Sequence, residues 1–528
     1  MLDWILYGGT VIDGTGAAPF CADVAWKDGK ITAVGRVDGQ AAHTLDARGL
    51  CVTPGFLDIH RHGDAAVFRA DFGEAELRQG LTTVVNGACG LSLAPFGAAH
   101  REELLRYLLP ITGAASADFP TESMAAYLDA VQAASPALNV SMMAGGGTVR
   151  TDVCGYAAGD PHNPDEISHR LLRALDEGAL AVSLGLGYAP ECFYSTEGLI
   201  RVLSVLRGRN IPVTVHMREE GDKVCDAIRE MLTVARAVDA PLHISHLKAM
   251  GPRNWRKRIP EALELLRRAR AEGTEADCDL YLYEAGSTQL LHLLPPEFLE
   301  GGTAAIVRRL REPSQVTLLG ERIANGRDFD NIAQMVGWDN IVLSTLRRPE
   351  YADFTGKTLA ETADALNMEP VACLCRILAD EDCAVTMIDR INCEDDIRMI
   401  LQEDYSSVIS DATYPTRGLP HPRVYGNATR LLERYVMHER LLTLPQAVRK
   451  LTGLPAAAMR LPTKGVLLAG MDADLCVFRP EALHECASFA EPRQFSEGMD
   501  SVFVNGQPAI LHGERTALRS GRVLRRFA

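Results

Sequence analysis

Six side chains in this 528-residue sequence are of types that hold a transition metal: His60, His62, Cys89, His216, His246 and Asp411. Imidazole nitrogen, thiolate sulfur and carboxylate oxygen are the ligands a borderline cation such as zinc accepts, and a cation so held acidifies water for hydrolysis. One histidine at the end of a strand is most often a hydrogen-bonded core or rim residue. Here ligand types recur at or just past the ends of apolar runs, at equivalent points of a strand and helix alternation, which points to one hydrolytic metal centre.

The spacings agree with that chemistry. His60 and His62 stand at i and i+2, so both imidazoles leave the same side of an extended backbone. His216 closes the apolar run 211–215 and His246 the run 241–245, while His243 within the latter reads as structural. Asp411 follows the run 406–410, where a carboxylate binds metal and takes a proton from water as general base. Many two-metal hydrolases bridge their ions with a carboxylated lysine, but no lysine occurs between Lys30 and Lys223. Cys89 can fill the anionic position instead, because a thiol loses its proton on coordination.

These residues require a frame that gathers distant strand ends at one mouth. Eight candidate parallel strands alternate with amphipathic helical stretches: 55–59, 81–85, 139–144, 179–184, 211–215, 241–245, 275–283 and 406–410. That alternation predicts an α/β protein, a (β/α)8 TIM-like barrel with its site at the carboxyl ends of the strands. The segment from about 285 to 404 is expected as an insertion between the seventh and eighth strands, placed beside the site. Turn dipeptides predict hairpins near both ends of the chain: Gly8-Gly9, Asp13-Gly14, Asp28-Gly29 and Asn505-Gly506. A small β-sandwich domain built from both termini follows, with residues 1–54 and 461–528 flanking a barrel over 55–460.

Composition sets the outer bounds. Apolar residues make up 47% and charged residues 23%, with no apolar stretch long enough to cross a bilayer. A formal net charge of -15 disfavours nucleic-acid binding, so the expected partner is a small-molecule substrate rather than nucleic acid or membrane. The 13 cysteines are odd in number and contain no C-x-x-C pair, which suits reduced thiols in the cytoplasm. Gly145-Gly146-Gly147 lacks the ending and spacing of a phosphate loop and reads as a glycine-rich strand end. Nothing in the sequence specifies an assembly.

Several stretches together resemble the amidohydrolase superfamily, and within it the D-aminoacylase family of N-acyl-D-amino-acid deacylases. They are the segment from Pro54 to Asp64, Gly87-Ala88-Cys89-Gly90, Gly185-Leu186-Gly187-Tyr188, His216-Met217-Arg218-Glu219-Glu220, Ser245-His246-Leu247-Lys248, Ala285-Gly286-Ser287-Thr288 and Pro420-His421-Pro422-Arg423. The resemblance implies that Cys89, His216 and His246 hold a tightly bound zinc. It further implies that His60 and His62 serve a weaker or second metal position and that Asp411 is catalytic base and acid. Tyr188, Lys248, Tyr281, Ser287 and Arg423 match positions used around the substrate carboxylate. The implied reaction is hydrolysis of the amide of an N-acyl-D-amino acid.

This chain departs from the family pattern at Asn86 and Ala88, at Ala412-Thr413 after the aspartate, and in the loop Glu191-Cys192-Phe193-Tyr194. All three bear on the substrate more than on the metal. A hydantoinase-like or dihydroorotase-like hydrolase of cyclic amides or dipeptides is the alternative on the same scaffold, and the missing bridging lysine counts against it. A catalytically silent scaffold would have lost ligands, and none is lost here.

Overall fold

The computed structural model describes residues 1–116, 118–415 and 417–526. Its centre holds eight short parallel strands, numbered here in chain order: β1 (Phe56–Asp58), β2 (Leu81–Asn86), β3 (Asn139–Met142), β4 (Val182–Gly185), β5 (Val213–His216), β6 (Leu242–Ile244), β7 (Ala276–Leu280) and β8 (Ser406–Val408). They fall on the eight runs expected from the sequence. β1, β2 and β3 form one parallel ladder, and β4 to β8 a second in the order 4-5-6-7-8. The third run is interrupted at Met143, after which Ala144–Gly145 pairs with β4 and carries the chain from one ladder to the other. At the far side Asp411 N–H donates to His60 C=O at 3.1 Å and His62 N–H to Ala412 C=O at 2.9 Å, tying the exits of β8 and β1.

Strands covered on both faces read as unbroken apolar runs, and every residue of β2 is buried. The covering helices carry one apolar face each. In Val224–Val238 the buried positions Val224, Ala227, Ile228, Met231, Ala235 and Val238 recur at three- and four-residue steps. The seventh run is shorter than expected, because the chain leaves extended pairing after Leu280 and Tyr281 to Ala285 turn toward the site.

Residues 285–404 contain a three-stranded antiparallel sheet, Gly286–Gln289, Thr386–Asp389 and Ile341–Leu343, with helices packed around it. Both termini meet in a nine-stranded sheet in which Cys51–Pro54 pairs with Leu475–Phe478. The hairpin expectations divide. Asp28-Gly29 and Asn505-Gly506 adopt positive φ at both residues, as tight hairpin turns require. Gly8-Gly9 makes no hairpin: it is a bulge inside one ten-residue strand, Leu2–Val11, where Gly8 at φ +66° shifts the register against Phe20–Lys27. A glycine pair signals positive φ, and that signal is common to turns and bulges.

Candidate metal centre

Each of the six expected ligands stands at the carboxyl end of a different strand or shares one with a neighbour. His60 and His62 follow β1, Cys89 follows β2, His216 ends β5, His246 follows β6 and Asp411 follows β8. All six are buried. Cys89 Sγ lies 3.2 Å from His60 Nε2 and 3.4 Å from His246 Nε2, and His216 Nδ1 lies 3.0 Å from His246 Nε2. Asp411 Oδ1 sits 3.2 Å from His62 Nε2 and 3.5 Å from His60 Nε2.

Three overlapping triads, His60 with His62 and Cys89, Cys89 with His216 and His246, and His60 with His246 and Asp411, each keep their ligand atoms within 4.8 Å of one another. The structure thus brings all six expected ligands together. The donor set fits a metal: imidazole nitrogen, sulfur and carboxylate oxygen face one another across the space of an ion. Burial, with Asp411 and Glu220 nearby, pushes the Cys89 thiol well above its usual range, so only a cation in that space makes it a thiolate.

The backbone is bent to hold this geometry. Cys89, His246 and Asp411 adopt positive φ of 54°, 35° and 49°, a conformation that costs energy in residues with a Cβ and that gathers at functional sites. Glycines make room for it. A Cβ on Gly145 would lie 2.6 Å from the Gly90 carbonyl oxygen, and one on Gly185 would collide with the carbonyl of Cys89. Gly145 and Gly147 therefore make room for the cysteine loop.

A second layer of charge orients the ligands, and sequence reasoning passed over most of it. Asp279, on β7, accepts the His246 backbone N–H and lies 3.5 Å from His60 Nδ1. His243 sits behind it, 2.7 Å from Asp279 and 2.5 Å from Asp277, in the structural role expected of it. Burial opposes its charge, but the two carboxylates raise its pKa to about 10. Glu220 lies 3.0 Å from His246 Nδ1 and 2.7 Å from Lys248 Nζ. It stood inside a stretch that carried the resemblance, yet a glutamate four residues beyond a strand end has no periodicity that marks it. The His292 ring, from the insertion, lies 4.9 Å from that of Tyr188 at a tilt of 41°, with its pKa lowered by burial to about 4.

The five residues expected around a substrate carboxylate divide by position. Tyr188, Lys248, Tyr281 and Ser287 line a cavity that is also lined by Cys89, His62 and Asp411. The Tyr188 hydroxyl is shared with Thr288 at 2.8 Å. Arg423 lies one layer deeper, fully buried, with Nη2 2.8 Å from Asp411 Oδ2 and the guanidinium stacked 4.4 Å over the Tyr281 ring. Its Nε and Nη1 have no partner among the described residues. Against the cost of burial, Arg423 and the nearby histidines hold the Asp411 carboxyl well below its usual range.

A parallel α/β frame whose strand ends deliver histidines, a cysteine and an aspartate to one cavity defines a metal-dependent amidohydrolase. Residues 395–510 match the model of an amidohydrolase family. The chain is 33% identical to the D-aminoacylase of Alcaligenes xylosoxydans xylosoxydans, covering 100% of this chain and 98% of that protein. It also superposes with a TM-score of 0.83 on the N-acyl-D-glutamate deacylase of Bordetella bronchiseptica, solved with zinc and a phosphonate inhibitor, at 31% identity and 99% coverage of both chains. A D-hydantoinase of Rhizobium radiobacter is 27% identical over 53% of this chain and 58% of its own. This chain belongs to the D-aminoacylase family of amidohydrolases.

Proposed function

We propose that this enzyme hydrolyses the amide of N-acyl-D-amino acids, releasing a carboxylate and the free D-amino acid, with zinc as the metal. The observation that carries this reading is Cys89 within ligand distance of His60 and His246, beside the His216 and His246 pair and with no lysine on the early strands. Cys89, His216 and His246 form the tight site, and His60 and His62 a second, weaker one. When bound, the metal supplies Lewis acidity toward the acyl carbonyl and makes water a stronger acid.

The remaining chemistry belongs to the chain. Asp411 takes the water proton at Oδ1 and delivers it to the leaving amine nitrogen, while Arg423 grips Oδ2 and keeps the group ionised until it acts. Tyr188, Lys248, Tyr281 and Ser287 hold the substrate α-carboxylate, with the free Arg423 N–H groups behind. Handedness follows from three fixed points: the carboxylate, the acyl carbonyl at the metal, and the side chain against the insertion. Inverting the stereocentre displaces one of them.

The same reading closes the eight parallel strands into a (β/α)8 barrel, folds the terminal sheet into a small β-sandwich, and divides the chain at 1–54, 55–460 and 461–528. No helix among the described residues is long and apolar enough to cross a membrane. Thirteen free thiols favour the cytoplasm. The test is a panel of N-acetyl-D- and N-acetyl-L-amino acids with hydantoin and dihydroorotate, offered to zinc-loaded enzyme. Turnover confined to the D series is expected; preference for the L series or the cyclic amides overturns the proposal.

A further inference from the structure

The chemistry above has no use for Asp389, a carboxylate in the wall of the same cavity. It ends the insertion strand Thr386–Asp389, opposite Gly286 in antiparallel register, and is 1% exposed. Its Oδ1 has no hydrogen-bond partner among the described residues. A Cβ on Gly286 would lie 2.9 Å from that oxygen and 3.2 Å from the Tyr281 hydroxyl. No side chain fits there, since Ile391 Cδ1 would lie 2.8 Å away, so the Asp389 oxygen and the Tyr281 hydroxyl pack closely over Gly286 and border one notch of the cavity that all four residues line. An acceptor buried without a donor is destabilising, a cost that a ligand able to donate there recovers. Burial raises the carboxyl to about 6 against the pull of Lys248 and Arg423, so near neutral pH it is largely an anion.

The charge around the notch is already committed. Lys248 is the one Lys or Arg among the described residues lining the cavity, and it is paired with Glu220 at 2.7 Å; Arg423, behind, is paired with Asp411 at 2.8 Å. These two cations are also the ones that the substrate α-carboxylate needs. Leu91, Ile111, Met250, Ile332 and Ile391 make much of the rest of the wall apolar. A second carboxylate on the substrate would meet Asp389 with no free cation to offset it.

Resting on the deacylase reading, we infer that Asp389 sets side-chain specificity: the pocket selects N-acyl-D-amino acids whose side chain ends in an N–H donor and rejects those with acidic side chains. Similarity does not decide the matter, since a D-aminoacylase at 33% identity and an N-acyl-D-glutamate deacylase at 31% are comparably related to this chain. The residue in the notch does.

N-acetyl-D-glutamine and N-acetyl-D-glutamate differ by one donor and one charge at equal size, so their rates with zinc-loaded wild type and Asp389→Asn test the assignment. N-acetyl-D-leucine serves as the reference substrate. In the wild type kcat/KM should favour glutamine by roughly tenfold or more, and in Asp389→Asn the ratio should fall to within about threefold, chiefly by a gain on glutamate. Equal or faster turnover of glutamate by the wild type, or an unchanged ratio in the variant, overturns the inference while turnover of the leucine substrate leaves the deacylase reading standing. Absence of turnover on all three removes both. Should circular dichroism show Asp389→Asn unfolded, the wild-type ratio decides, together with product inhibition that should be stronger for D-glutamine than for D-glutamate.

Discussion

Replacing His243 with glutamine should destabilise the protein by about 3–5 kcal/mol, although His243 is not among the expected metal ligands. Its imidazole lies 2.7 Å from Asp279 and 2.5 Å from Asp277. Asp279 itself is 1% exposed and faces His60. The glutamine side chain can still donate a hydrogen bond, but it leaves the carboxylate charge buried and uncompensated. A pKa raised from 6.5 to about 10 corresponds to roughly 5 kcal/mol of preferential binding of the proton by the folded state, the upper end of the same range. The depressed pKa of Asp279 is this interaction seen from the other side and adds nothing further. Because the folded pKa lies above the unfolded one, the stabilisation is complete below about pH 6.5 and is lost as pH rises through about 10. Urea unfolding followed by circular dichroism at pH about 6 and about 10 should show wild type weakening between the two and His243→Gln already weak at the lower one. A variant within about 1 kcal/mol of wild type at pH about 6 would refute the reasoning.

Two further outcomes bear on the metal centre. Cys89→Ala should lower bound zinc severalfold by elemental analysis of the purified protein with its folded spectrum retained; full zinc content with normal turnover would remove Cys89 from the ligand set. Asp411→Asn should fold, keep its carboxylate-binding neighbours and lose at least about 100-fold in kcat, a loss within a few-fold being incompatible with its role as proton carrier.

The eight parallel strands were legible because strands buried on both faces leave unbroken apolar runs, and the candidate ligands at the ends of those runs could be read by residue type. Cys89 was legible through elimination, since the early strands hold no lysine. What escaped was whatever depends on a partner far away in sequence. Asp279 sits mid-strand, where a carboxylate looks like an error in the apolar pattern until His243 and His60 are placed beside it. Glu220 acquires meaning only when Lys248 closes on it, and Asp389 only when the insertion sheet sets it opposite Gly286. The depth of Arg423 was illegible as well: a guanidinium near a site reads as a ligand for substrate, whereas here it grips the Asp411 carboxylate.

The terminal sheet ties the order of synthesis to the completion of the fold. Trp26 donates its indole N–H to the carbonyl of Gly506, 480 residues later, and the Cys51–Pro54 strand, paired on one edge with Leu2–Val11, finds its second neighbour in Leu475–Phe478. On the ribosome, the opening strands must wait with one edge unmatched until almost all of the chain has emerged. Premature termination upstream of residue 475 would therefore produce a chain whose first segment offers an unfilled β edge to the cell's proteolytic surveillance.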